Sequence, residues 1–376
     1  MGDVDGQGRR EDPDELRFGP SRSAGIRLPG WLRNRRVAVV VALVLVAAAV
    51  AIAVAAGGHG HRRPVARRPV TEIVAGRRLL GVRAGWDLFA TGPGVLVRIQ
   101  PAAGLMTRTE VPALRSSGPV YFVVGPHQAI IRPLDFVPGY LVLDGRPARV
   151  LPPALGRAGQ AFPGPRPGQL WVETGFGANL VMSLVDVTGR RVGASLTLPR
   201  PWGYIAVADG RGYLLVQDGG TIYDFRPARR WRVSSGTLDA VGPSAWLITR
   251  CSRARCRYTV IDPADGDRRM LPGRAARTAG PFGVISPTGR IAAVVRYGPR
   301  HSLTVHLLNL VTGVDRRLSV IISGATSTLA WTPDGRWLLA VTANGTLIAI
   351  DPRTGRADRL DAALPAVSQL AIRAAS

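Results

Sequence analysis

Two hydrophobic patterns divide the chain. Residues 37–56, VAVVVALVLVAAAVAIAVAA, form an unbroken apolar run without a charge or a proline. Twenty residues at about 1.5 Å rise each cross about 30 Å of hydrocarbon, which predicts one transmembrane helix. A signal-peptide core is shorter, about 7–15 residues, and follows a short basic stretch. Here 36 residues precede the run, although Ala53-Val54-Ala55 has the form of a cleavage site; a buried helix is the remaining reading. From about Val70 the pattern changes to short apolar runs separated by turns containing Gly, Pro, Asp or Asn, which predicts strands joined in hairpins.

The strands recur in copies. The polar residue that closes the third strand of each copy is Gln100, Asp144, Asp186, Asp224, Asp262, Asn309 or Asp351, at spacings of 44, 42, 38, 38, 47 and 42 residues. The text around them is alike, as in LVDVTGRR ending at Arg191, VIDPADGDRR at Arg269 and LLNLVTGVDRR at Arg317, and the Asp224 copy, TIYDFRPARRW, is the most degenerate. Such Asp and Asn residues read as turn formers rather than paired catalytic carboxylates. A unit of four short strands cannot bury both faces of its sheet, so the copies must stack side by side and close into a ring. The stretch VSQLAIR, Val367 to Arg373, reads as an extra strand that completes the first copy, whose own run from Trp86 to Val111 supplies about three strands. That pairing removes an exposed strand edge.

Upstream of the last two anchors stand WTPDGRWLLAV from Trp331 and SPTGRIAAVV from Ser286, each a turn followed by a strand. These segments resemble the blades of TolB-type, WD-repeat-like β-propellers. The likeness covers roughly 300 of the 376 residues, but the motif is clear only in the last two copies, so six or eight blades remain open. The Gly-His and Trp-Asp dipeptides of true WD repeats are absent. The resemblance implies an all-β propeller in a family whose members mostly bind proteins or ligands, and the seven copies and the apolar run add the expectation of seven four-stranded blades preceded by one transmembrane α-helix.

Composition places the domains. The organisation expected is a disordered cytoplasmic tail over 1–36, the helix over 37–56, a basic Gly/Pro linker over 57–69 and an extracytoplasmic propeller over 70–376. Five arginines shortly before the apolar run against four after it give a weak positive-inside signal, with the N-terminus in the cytoplasm and the C-terminal domain outside. All 49 basic residues are arginine, and against 25 acidic ones they leave a formal charge of +24. Such a balance suits a polyanion, although GC-rich codons favour arginine without selection on charge. For an exported domain no nucleic acid is expected. The partners are then membrane lipid through residues 37–56 and a protein or anionic envelope polymer.

Candidate chemistry is sparse. Cys251 and Cys256 flank one hairpin loop and, in an oxidising compartment, predict a disulfide. Strand alternation puts every second-to-third-strand loop on one ring face, where Asp135, Phe136, Phe176, Asn179, Asp218, Arg253, Arg255, Arg300, His301 and Asn344 are the candidate binding residues. The five histidines suggest no triad, and neither a nucleophile elbow nor a metal, nucleotide or calcium motif is present. No catalytic residue, metal ligand or cofactor is therefore assigned, and the expectation is a binding scaffold without catalysis. The alternative is a propeller enzyme of the lyase or quinone-dependent dehydrogenase kind, with a site at the central channel.

Overall fold

The computed structural model describes residues 68–73, 85–115, 120–125, 127–133, 139–156, 159–174, 180–198, 204–226, 229–252, 255–276, 283–324, 327–360 and 364–374. The expected tail, the apolar run 37–56 and nearly all of the linker lie outside them. Among the described residues no helix is long and apolar enough to cross a membrane.

Strand β1 (Val70–Ile73) is the outer edge of a sheet continued by β4 (Leu105–Glu110), β3 (Val95–Gln100) and β2 (Trp86–Gly92). Three four-stranded antiparallel meanders follow. The first is β5 (Val120–Val124), β6 (Gln128–Pro133), β7 (Tyr140–Leu143) and β8 (Arg149–Val150). The second is β9 (Ala161–Pro163), β10 (Gln169–Thr174), β11 (Val181–Asp186) and β12 (Arg191–Thr197). The third is β13 (Tyr204–Ala208), β14 (Leu214–Asp218), β15 (Thr221–Arg226) and β16 (Arg229–Ser235).

An eight-stranded sheet comes next. It contains the meander β17 (Thr237–Gly242), β18 (Ala245–Ser252), β19 (Arg255–Ile261) and β20 (Arg268–Met270). It also contains the meander β21 (Gly283–Ile285), β22 (Ile291–Tyr297), β23 (Leu303–Asn309) and β24 (Asp315–Ile322). The two are joined by a parallel pairing of β17 with β21. The last meander is β25 (Leu329–Trp331), β26 (Leu338–Val341), β27 (Leu347–Ile350) and β28 (Ala357–Arg359). The chain ends on β29 (Gln369–Ala374), which pairs antiparallel with β2 and becomes the innermost strand of the first sheet.

The innermost strands neighbour one another around an axis, β29 beside β5, β5 beside β9, β9 beside β13, β17 beside β21, β21 beside β25 and β25 beside β29. This is a β-propeller, closed by its own C-terminal strand as the alternation in VSQLAIR predicts. Burial follows from that arrangement. A strand near the axis is covered on both faces by neighbouring sheets, so β2 is buried at every position and β26 and β27 likewise. An outer strand is covered on one face and alternates, as β24 does. The cores therefore lie between sheets: Leu88, Val97, Leu339 and Leu347 pack together across one seam, and Trp171, Met182, Leu214 and Phe225 across another. Two indoles also tie neighbouring sheets, Trp171 Nε1 donating to the Gly212 carbonyl at 2.9 Å and Trp331 Nε1 to that of Val284 at 3.1 Å.

Two expectations need correction. The first sheet carries a fifth strand, β1, which was not foreseen because its four residues are all exposed and its partner β4 lies far along the chain. Asp224 does not close a strand at a turn. It sits inside β15 and is fully buried, because the β15–β16 connection is shortened to two residues.

Candidate functional site

Antiparallel alternation places the loops between second and third strands at one end of the ring and the first-to-second and third-to-fourth turns at the other. At the first end Asp218 closes β14, Arg255 opens β19, and Cys251 and Cys256 stand opposite each other on β18 and β19. Their Cα atoms are 4.0 Å apart and their sulfurs are bonded, as expected. Arg300 and His301 are exposed between β22 and β23, with φ of 54° and 59°. Two successive non-glycine residues in the left-handed region are uncommon and cost energy. Asn344 is exposed, but its Oδ1 already accepts hydrogen bonds from the Thr342 hydroxyl and from the Thr346 amide at 3.3 Å. Asp135, Phe136, Phe176, Asn179 and Arg253 lie outside the described residues.

The opposite end is built from turns that the repeated motif explains. The Ser286 hydroxyl accepts the Ile291 amide at 3.1 Å and the Thr332 hydroxyl accepts that of Trp337 at 3.0 Å, which shuts each first-to-second turn. At the third-to-fourth turns, Asp186 Oδ1 accepts the Thr188 and Arg190 amides, Asp262 Oδ1 that of Ala264, Asn309 Oδ1 that of Val311 and Asp351 Oδ1 that of Arg353, all at 2.8 to 3.0 Å. These are Asx turns. The Thr188 hydroxyl holds the Asp186 carboxyl below the usual range, and the Arg353 amide does the same for Asp351. The turn-former reading of these residues is thus sound. Just beyond the turns, Arg149, Arg191, Arg230, Arg268, Arg317 and Arg359 are exposed on six outer strands.

Three clusters built around buried charged side chains were not visible in the sequence. In the first, Arg373 on β29 donates to Asp87 Oδ2 through Nε at 3.2 Å and Nη2 at 3.0 Å, to Asp144 Oδ2 at 2.9 Å and to the Gly125 carbonyl at 2.8 Å. Arg98 binds the same two carboxylates, at 2.7 Å and 3.0 Å. Both guanidiniums lie near the Phe89 ring, that of Arg373 4.7 Å and that of Arg98 5.8 Å from its centroid. In the second, Arg296 meets Asp315 at 2.5 Å, the Tyr258 hydroxyl at 2.9 Å and His306 Nδ1 at 3.1 Å. Burial holds the His306 imidazole below its usual value and pushes the Tyr258 hydroxyl up.

The third cluster arises where the repeat is most degenerate. Asp209 takes the place of Ser286 and Thr332 in a first-to-second turn, its Oδ1 accepting the Arg211 amide at 2.7 Å and the Tyr213 amide at 2.8 Å. A carboxylate thereby replaces a hydroxyl in a site with no exposure. Asp224 is as deeply buried and pairs with Arg226 Nε at 3.1 Å. Asp209 Oδ2 and Asp224 Oδ1 have no hydrogen-bond partner among the described residues. Burial raises both acids, Asp224 to about 6, and the charge of Asp209 adds to the rise at Asp224. Arg226 stacks over Trp231 at 4.3 Å and Tyr213 at 5.2 Å. The turn sequence Asp209-Gly210-Arg211 beside SPTGR was the available signal.

A pH dependence follows. Folded Asp224 holds its proton more tightly than the unfolded chain does, so its stabilising contribution is present below pH 3.8 and is lost as the pH rises through about 6. His306 acts oppositely, contributing above its unfolded value and losing that as the pH falls. The comparison of the wild type with Asp224→Asn isolates the first effect: the variant's melting temperature is expected to gain on the wild type as the pH rises from about 4 to about 7. A constant difference across that range would refute it.

No protein-family model and no curated protein matches the sequence. Solved structures do match in fold. A functionally unknown protein from Desulfotomaculum acetoxidans superposes with a TM-score of 0.51 at 10% identity over 77% of this chain and 99% of that one. TolB from Acinetobacter baumannii matches 81% of this chain and 86% of its own at 14% identity and a TM-score of 0.43. A 6-phosphogluconolactonase-like protein from Bacteroides fragilis matches 77% and 98% at 11% identity and 0.47. The first of these, at a TM-score of 0.51, is similar to the chain in fold alone.

Proposed function

We propose that this chain is a single-pass membrane protein whose propeller lies outside the cell and serves as a binding module for an anionic protein or envelope polymer. The 37–56 run supports the anchor, and the Cys251–Cys256 disulfide suits an oxidising compartment. Seven blades are the count that fits best, with the eight-stranded sheet taken as two, each with four strands, and β29 completing the first. Seven apolar clusters between neighbouring strand sets among the described residues favour that number.

The observation that carries the binding reading is the exposed arginine recurring on six outer strands at one end of the ring. Guanidiniums spaced around a rigid frame suit repeated carboxylates or phosphates. The loop residues Arg255, Arg300 and His301 offer a second surface at the other end. The test is binding of the full-length protein in detergent to an acidic polysaccharide at increasing salt. Reversing Arg191, Arg268 and Arg317 to Glu together is expected to weaken binding by tenfold or more and flatten its salt dependence, about a charged hydrogen bond's worth or more. Reversing Arg255 and Arg300 should leave it within about twofold. The opposite pattern would move the binding surface to the loop end, and no binding by the wild type would refute the anionic reading.

A further inference from the structure

We infer that the cleft between the β13–β16 and β17–β20 strand sets is a subsite for one acidic sugar unit of such a polymer, an inference that rests on the anionic-partner reading above. The cleft exists because the repeat is uneven. β15 and β16 are joined by two residues, whereas β19 and β20 are joined by the longer turn that contains Asp262 to Asp267. Beside the shorter hairpin the longer one borders a space of about 310 Å³, at the lower end of ligand-pocket sizes and thus fitted to a single ring.

Its lining is mixed in a way that matters. Arg226, Arg232 and Arg268 all border it. Arg226 is fixed by Asp224 and by stacking on Trp231, and Arg268 by donation to the Val233 carbonyl. Arg232 is exposed and has no ion pair among the described residues. Guanidiniums already held in place bind a carboxylate in paired hydrogen bonds at little entropic cost.

Trp246 gives an independent sign. It is 2% exposed, it lines the cleft, and its Nε1 has no acceptor among the described residues. Trp86 and Trp337 share that lack, but Trp246 alone of the three borders this space. A buried donor without a partner is costly unless a ligand supplies the acceptor.

The carboxylates decide between ligand classes. Asp262 and Asp265 use Oδ1 within their own turn, on the amides of Ala264 and Asp267, which leaves Oδ2 at the rim to accept hydroxyl donors. A sugar with one acid group offers those hydroxyls. An acidic peptide would instead bring its further carboxylates against Asp262 and Asp265.

The experiment is calorimetric and fluorescence titration of the full-length protein in detergent with glucuronate, glucose, polyglutamate and an acidic polysaccharide. Wild type is expected to bind glucuronate saturably and glucose about tenfold or more weakly. Arg232→Glu and Trp246→Phe should each weaken glucuronate binding by about fivefold or more. Trp246→Phe should remain folded with a melting temperature lowered by a few degrees, because it loses buried volume but no hydrogen bond. If both variants bind glucuronate as the wild type does, the subsite is overturned while polysaccharide binding by the outer arginines can still stand. Loss of polyglutamate binding in the variants, without glucuronate binding by the wild type, would assign the cleft to an acidic peptide and overturn the sugar. Failure of wild type to bind the polysaccharide would remove both readings.

Discussion

Removing residues 369–376 is expected to abolish the cooperative unfolding transition. β29 supplies the innermost strand of the first sheet and pairs with β2 at six positions, from Trp86↔Ala374 to Thr91↔Gln369. Without it the edge of β2 and the apolar residues Leu88 and Leu339 that β29 helps enclose, with Leu370, lose their cover. The Arg373 side chain, 5% exposed, also joins β29 to β2 through Asp87 and to the next sheet through Asp144 and Gly125. Arg373→Ala leaves the carboxylate of Asp87, 4% exposed, with Arg98 as its remaining ion pair. Leaving a buried charge wholly unpaired costs about 3–5 kcal/mol, and with Arg98 retained the loss is expected below that range. Urea unfolding followed by circular dichroism measures both. A truncated chain that unfolds as sharply as the full one, or an Arg373→Ala variant with an unchanged midpoint, would show that the clasp does not hold the ring.

The second large effect is expected at the seam of the eight-stranded sheet. Gly283 opens β21 where it pairs in parallel with β17, opposite Ala240. A Cβ there would meet the Asp239 carbonyl oxygen at 2.4 Å, the Ala240 Cβ at 2.7 Å and the Ala293 carbonyl oxygen at 2.8 Å. Two of these are backbone atoms of paired strands and cannot swing aside. Gly283→Val should therefore separate the two halves of the sheet, at a cost of about 3 kcal/mol or more. Gly85→Ala is the control, since a Cβ at that position has nothing within 4 Å. Equal melting temperatures for the two variants would mean that the seam yields easily.

Turns were legible in the sequence because their chemistry is local. Pro, Gly and an Asp or Ser hydrogen-bonding two to five residues on are enough to make the Ser286 and Thr332 turns and the Asp186, Asp262, Asn309 and Asp351 hairpins. The closing strand was legible because alternation in VSQLAIR has no use in a free terminus. What stayed hidden depends on partners far apart in the chain. Arg373 and Asp87 are separated by 286 residues, and no pattern of spacing announces such a pair. Asp224 looked like another turn former, but shortening its hairpin by a few residues drew it into the core, and with Asp209 it made a buried acid pair. The candidate loop residues were placed by strand counting alone. Their chemistry depends on side chains that composition does not orient, and Asn344, for instance, spends its oxygen on its own turn.

The proposal that the propeller lies outside the cell is tested most directly at Cys251 and Cys256. Intact cells producing the full-length chain are treated with a membrane-impermeant maleimide, with and without prior reduction. Labelling only after reduction is the predicted result, since the disulfide sits on a hairpin at one end of the ring with Cys251 exposed. Labelling that requires lysis, with or without reduction, would contradict it by placing the ring in the cytoplasm.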